Sequence, residues 1–256
     1  MFFSLAIFFV VGSAVGSFLN VVIDRSVRSE SLLGRSYCDW CKARLSALDL
    51  VPIASFVALR ARCRYCKRPI SWQYPLVEVL SGLLFAFSFY YLASLGILQL
   101  STLLFYFFVL AIFLVVAVVD LKYSLIPTSF VYLASLVVLF YNYLFLPTNE
   151  FITSVIAGFV LALFFLAIVV VTRGRGMGSG DIPLVFLIGL VCGWPRTITA
   201  VFVAFIAGAL AALLLIFLGR KKFGQTIPFG PFLVFGTIVA LFWGIPLIDW
   251  YLGLIS

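Results

Sequence analysis

The sequence predicts an all-α polytopic membrane protein of about eight transmembrane helices with one small cytoplasmic zinc-binding loop domain. Three observations carry that expectation. Of 256 residues, 65% are hydrophobic and only 10% charged, against about 25% charged in a soluble domain, so there is too little polar surface to face water on all sides. The apolar residues form long runs, and a helix needs roughly 20 of them to cross about 30 Å of hydrocarbon. The polar residues collect in one segment, 24–75.

The expected spans are 2–23, 76–97, 101–119, 128–146, 152–171, 182–194, 197–218 and 231–254. The first reads as a retained helix: no basic residue precedes it, and it is too long for the apolar core of a secretory signal. Its Gly12 and Gly16 are four residues apart, which permits close helix approach, and packing inside the bundle is favoured over a dimer seam. The sixth run is short enough to be tilted or partly re-entrant. The domains are therefore 1–23, a first helix; 24–75, the loop domain; and 76–256, a seven-helix membrane domain.

Orientation follows from Lys and Arg. The 24–75 segment holds ten, and Lys122, Arg173, Arg175, Arg220, Lys221 and Lys222 fall in loops of the same parity, leaving Arg196 alone on the other side. The positive-inside rule makes the rich face cytoplasmic and puts both termini outside. The net charge of +8 is thus mostly a topology signal. The basic residues suit membrane lipid headgroups and form no single groove of the kind a nucleic acid would occupy.

There is no histidine. That removes Ser-His-Asp and Cys-His pairs and His-ligated metal sites, leaving carboxylates, thiolates and backbone to do any chemistry. Within the polar segment, Cys38-Asp39-Trp40-Cys41 and Cys63-Arg64-Tyr65-Cys66 form two C-x-x-C pairs separated by 21 residues. Four thiolates at that spacing suit a tetrahedral zinc ion, and a reducing cytoplasm keeps them free to bind it. Two disulfides or an iron site are the less favoured readings. Zinc would be structural, since some fifty residues build little core and metal binding supplies folding free energy. Cys192, alone in an apolar run, reads as a small core residue.

Two carboxylates stand at membrane boundaries. Asp120 ends the third run, and Asp181 opens the sixth after Gly178-Ser179-Gly180. Two spans separate them, so parity returns the chain to the same face. Each has a bland reading, Asp181 as a helix N-cap and Asp120 as an interfacial partner of Lys122. Ionisable groups next to hydrocarbon are nevertheless functional candidates by default. Two carboxylates sharing a site split their protonation, so one can serve as base while the other serves as acid. Such a pair activates water against an amide without histidine. Gly176, Gly178 and Gly180 are expected to permit close backbone approach and φ values forbidden to other residues.

The chain resembles the type IV prepilin leader peptidases over nearly its whole length. The resemblance rests on Gly16-Ser17-Phe18-Leu19-Asn20 at the end of the first span, the paired C-x-x-C loop, and Tyr74-Pro75-Leu76-Val77-Glu78 entering the second. It continues through Asp120-Leu121 with Ile126-Pro127, Gly178-Ser179-Gly180-Asp181 and Ile227-Pro228-Phe229-Gly230-Pro231. It implies that Asp120 and Asp181 are the catalytic pair of a bacterial inner-membrane endopeptidase. Such enzymes cleave prepilins and type II secretion pseudopilins after a glycine that ends a short basic leader, on the cytoplasmic face. They then N-methylate the new terminus with S-adenosylmethionine. Two departures stand out: Ile182-Pro183-Leu184 replaces the usual Val-Lys-Leu after the aspartate, and Ala61 replaces a usual glycine before Arg62-Cys63.

No Rossmann-type glycine loop is present for the methyl donor. Glu78 reads either as a polar contact for cofactor or amine, or as an ion pair with a loop arginine. A presenilin-like protease is the alternative enzyme. An ion relay would call for polar residues mid-span, where the runs are nearly uncharged.

Overall fold

The computed structural model describes residues 1–28, 30–174, 177–219 and 227–254, so the sequence readings on Arg175, Gly176, Arg220, Lys221 and Lys222 lie outside the described residues. The long elements are helices: α1 (Phe2–Arg28), α3 (Gln73–Ser94), α4 (Leu100–Tyr123), α5 (Thr128–Phe145), α6 (Thr148–Val171), α8 (Arg196–Phe217) and α9 (Gly230–Gly253). Among the described residues, seven helices are long and apolar enough to cross a membrane. Short helices α2 (Ala54–Ala58) and α7 (Asp181–Cys192) complete the set, with a 3-10 turn at Ala47–Leu50. Among the described residues there are isolated β-bridges but no strand.

The expected sixth span is the one that differs. It forms the 12-residue α7, about 18 Å long at 1.5 Å per residue, well short of a bilayer core. Ten of its residues are buried, Asp181 and Pro183 through Cys192 among them with few gaps. A helix apolar on every side belongs in the interior of a bundle as readily as in lipid, and here protein supplies the apolar surroundings.

The chain divides into two compact units, Met1–Val115 and Val116–Ser256. In the first, α1 packs on α3 through the glycines singled out above. A Cβ on Gly12 would stand 2.7 Å from the Ser81 carbonyl oxygen, and one on Gly16 would stand 2.8 Å from the Glu78 Cα. The spacing therefore serves a contact within the chain. Above it, Phe8 stacks on Phe89 at 4.5 Å and Phe85 on Phe107 at 3.9 Å between ring centroids.

Helix α1 runs five residues beyond the expected span end, into Asp24–Arg28. The buried Arg25 guanidinium donates to the carbonyl oxygens of Ser31, Leu32 and Arg35 at 2.9–3.1 Å, which ties down the chain as it leaves the helix. The Tyr74 hydroxyl donates to Asp24 at 2.7 Å, and the Asn20 amide donates to the Tyr74 carbonyl at 3.1 Å. These bonds join the two helix ends that flank the loop.

In the second unit, α7 is the hub. Asn142 of α5 donates its side-chain amide to the Leu190 carbonyl at 2.8 Å. Helices α6 and α7 cross at Gly158 and Gly189, where a Cβ on Gly189 would collide with Gly158 backbone. Helices α8 and α9 cross in the same manner, Gly236 lying against Ala200 and Ala204. Small residues let helix backbones meet closely, gaining dispersion contacts where no hydrophobic force separates protein from lipid.

Candidate active site and metal centre

Asp120 occupies the last turn of α4, just before the chain turns at Ser124 with φ +51°. Its side chain is buried, and its Oδ2 accepts the Gly230 backbone N–H at 2.9 Å. Gly230 is the first residue of α9, where amide groups have no partner inside their own helix and the helix dipole favours a negative charge. A Cβ at position 230 would lie 2.6 Å from Oδ2, so only glycine allows this approach. The sequence reading noted Gly230 inside a motif but gave it no role. A glycine ahead of a helix-starting proline was the available signal.

Asp181 is also buried and is the first residue of α7, following the Gly178–Gly180 turn, and its N–H donates to the Gly178 carbonyl at 3.1 Å. It is not the N-cap that its bland reading required: the cap is Gly180, which makes no side-chain capping bond. Nor is Gly180 in an unusual backbone region, since its φ is −68°. Its Cβ would instead stand 3.3 Å from Ile126, so this glycine serves close packing. Asp120 at the end of α4 and Asp181 at the start of α7 are thus two buried carboxylates of the same unit, each at a helix terminus. The Lys122 ammonium lies over the Tyr123 ring, 5.0 Å from its centroid.

In the first unit, the Cys38, Cys41, Cys63 and Cys66 sulfurs all lie within 4.8 Å of one another. Zinc–sulfur bonds of about 2.3 Å in a tetrahedron put sulfurs about 3.8 Å apart; the Cys38 and Cys66 Sγ atoms are 3.9 Å apart. All five cysteines are free, so the pairs are not disulfides, and the four clustered sulfurs are a donor set that suits a zinc ion. Cys192 is buried in α7, as a core residue should be.

The two cysteine pairs adopt the same local fold. Lys42 N–H returns to the Cys38 carbonyl and Lys67 N–H to the Cys63 carbonyl, with both lysines left-handed at φ +56° and +59°. Antiparallel bridges Tyr37–Arg44 and Arg62–Pro69 close them. Burial pushes the Cys38 thiol up to about 11, against backbone N–H groups of Cys41 and Trp40 that favour its thiolate. Burial also works against the Cys63 thiolate, but hydrogen bonds from the Cys66 and Tyr65 N–H groups and from neighbouring thiols outweigh it, bringing Cys63 down to about 7. Ion pairs brace the pairs from outside: Arg28 to Asp39 and Arg64 to Asp49, each at 2.6 Å.

Ala61, the departure from the family pattern, has φ +57° and follows Arg60 at φ +51°. That left-handed turn accounts for a glycine being usual there. Glu78 is buried and its Oε2 accepts the Ile53 backbone N–H at 2.7 Å. It holds the loop backbone, at a β-branched residue whose own φ is +60°.

Residues 10–92 match the profile described as the bacterial peptidase A24 N-terminal domain, and residues 107–213 match that of the type IV leader peptidase family. Curated relatives named prepilin leader peptidase/N-methyltransferase include one from Burkholderia pseudomallei (strain 1026b), 32% identical over 94% of this chain and 86% of the relative. Another, from Bacillus subtilis (strain 168), is 31% identical over 97% of this chain and 98% of its own. A third, from Legionella pneumophila, is 30% identical over 94% and 91%. No solved structure matches the chain.

Proposed function

Since this chain belongs to the type IV leader peptidase family, we propose that it cleaves the basic leader from prepilins and pseudopilins with Asp120 and Asp181, then methylates the new N-terminus. What supports the reading is the pair of buried carboxylates at the end of α4 and the start of α7, in a chain with no histidine. In this scheme one aspartate, ionised, takes a proton from water as the oxygen attacks the carbonyl of the leader's terminal glycine. The other, protonated, gives its proton to the departing nitrogen as the C–N bond breaks. The products are a leader carboxylate and a free amine. S-adenosylmethionine supplies the methyl group as a second substrate, and the amine loses a proton when the N–C bond forms.

Zinc held by Cys38, Cys41, Cys63 and Cys66 would be structural, with no open coordination position for chemistry. The cytoplasmic placement of the aspartates rests on the positive-inside rule and on parity. Asp120 ends α4, α5 leads away and α6 returns to Asp181; this parity is independent of whether short α7 crosses. Membrane lipid surrounds the bundle, and the N-terminus lies outside; the C-terminus lies on the same side only where α7 carries the chain across.

The test is incubation of purified enzyme with a prepilin, with and without S-adenosylmethionine, followed by mass spectrometry of the product. Cleavage after glycine is expected in both reactions and a methyl increment only in the second. Asp120→Asn and Asp181→Asn should each abolish cleavage at unchanged protein level; a variant that still cleaves would remove the aspartate pair from the mechanism.

A further inference from the structure

Two basic concavities sit on the metal loop, one beside each cysteine pair. The larger, about 550 Å³, is lined by Arg35, Tyr37, Lys42 and Arg44. The other, about 450 Å³, is lined by Arg60, Arg62, Arg64 and Lys67 together with Ala58, Leu59 and Cys63. No acidic residue lines either. Arg64 is engaged by Asp49, which leaves Arg60, Arg62 and Lys67 as the cations around the second hollow whose role the ion pairs above do not describe. Concave volumes of this size accommodate small ligands, and three convergent cations select an anion.

What else the loop exposes narrows the choice. Val57, adjoining it in sequence, is 68% exposed, and Leu48, Leu33, Trp40 and Trp72 are 62–88% exposed. Large exposed apolar and aromatic residues set among Lys and Arg mark a surface that lies at a membrane interface. The loop is also tethered at both ends to apolar helices long enough to span, leaving α1 at Arg28 and re-entering α3 at Gln73. Any bilayer those helices cross is therefore presented to the loop at high effective concentration. Where that leaflet is anionic, it attracts juxtamembrane cations.

We propose that the hollow formed by Arg60, Arg62 and Lys67 binds the phosphate of an anionic phospholipid headgroup, seating the metal loop against the leaflet. Exposed Val57, next to the lining residue Ala58, and exposed Trp72, packed on Phe56, enter the interface with it. This assignment does not depend on the peptidase reading, and it is measurable in the Asp120→Asn protein.

The experiment reconstitutes the full chain in nanodiscs of phosphatidylcholine alone or with phosphatidylglycerol. It measures hydrogen exchange across 57–68 and counts retained phosphatidylglycerol by native mass spectrometry. The wild type is expected to show slower exchange in the anionic discs and to retain the lipid. Arg60→Gln with Arg62→Gln and Lys67→Gln should weaken retention about fivefold per cation removed, while Arg60→Lys with Arg62→Lys should preserve it. Zinc content is measured in each protein; if the triple variant loses zinc, Arg60→Gln alone carries the comparison. Equal exchange in both discs, or full lipid retention by the glutamine variant, would overturn the proposal. So would equal protection by inorganic phosphate in phosphatidylcholine discs, which would make the hollow a site for soluble phosphate.

Discussion

The backbone N–H of Gly230 meets the Asp120 carboxylate at 2.9 Å across 110 residues of sequence. A helix N-terminus is thereby aimed at one of the two candidate catalytic groups, and the contact exists because residue 230 has no side chain. Gly230→Ala would place a methyl 2.6 Å from Oδ2 and 3.2 Å from Cγ, forcing the carboxylate aside. A misplacement on the order of 1 Å costs about a hundredfold in rate. Prepilin turnover at saturating substrate should fall by about that factor with the helical signature retained, and an unchanged rate would show that this contact does not position the aspartate.

Gly189→Ala should act on the same site from further away. Its Cβ would collide with Gly158 backbone, pushing α6 from the helix that carries Asp181. Overpacking of this kind costs roughly 1–3 kcal/mol. Lower thermal stability together with slower cleavage is expected. Gly253→Ala, with nothing within 4 Å of its Cβ, is the neutral control.

Chelation should unfold the loop. Limited proteolysis before and after zinc removal would detect it as new cleavage within 30–72. Acidification should act in the same direction, because sulfur binds zinc as thiolate and protons compete for it. Burial holds the Cys38 thiol protonated well above its ordinary range in the metal-free protein, so zinc uptake must displace a proton there, and affinity falls as pH falls. Zinc content after dialysis at graded pH checks the sign.

Ala61→Gly should stabilise the loop by about 1 kcal/mol. The residue sits at φ +57°, where a Cβ is costly and glycine is not. The temperature at which zinc is released should rise; a fall would mean that the lost side chain outweighs the relieved backbone.

Glu78→Ala should loosen the segment around Ile53, because the N–H bonded to Oε2 at 2.7 Å loses a buried acceptor. Glu78→Gln retains an acceptor oxygen and should keep the wild-type exchange rate at Ile53. Equal effects of the two substitutions would point to the charge rather than the hydrogen bond.

Much of this was legible in the residues. The long spans begin and end within a few positions of their apolar runs, because leaving hydrocarbon is a property of each residue alone. The four cysteines were found by spacing, since a metal fixes a few bond lengths and the knuckle repeats locally. Asp120 and Asp181 stood out because charges next to hydrocarbon are scarce. Harder to see were the N–H of Gly230 at Asp120, the hold of Glu78 on Ile53, and the fit of Gly158 to Gly189. Each joins residues far apart in sequence, and neither partner alone betrays the other.

The sequence by itself determined that this is a polytopic membrane chain, that histidine takes no part in its chemistry, and that a metal held by its two C-x-x-C pairs would have thiolate ligands. Those conclusions follow from composition and local spacing, which no folding step alters. Only the tertiary structure decided that α7 is a short buried hub, that an α9 amide is spent on Asp120, and that Asp181 begins its helix instead of capping it. An apolar run looks the same whether lipid or protein surrounds it, and close backbone approach is a property of pairs, which exist only once the chain has folded.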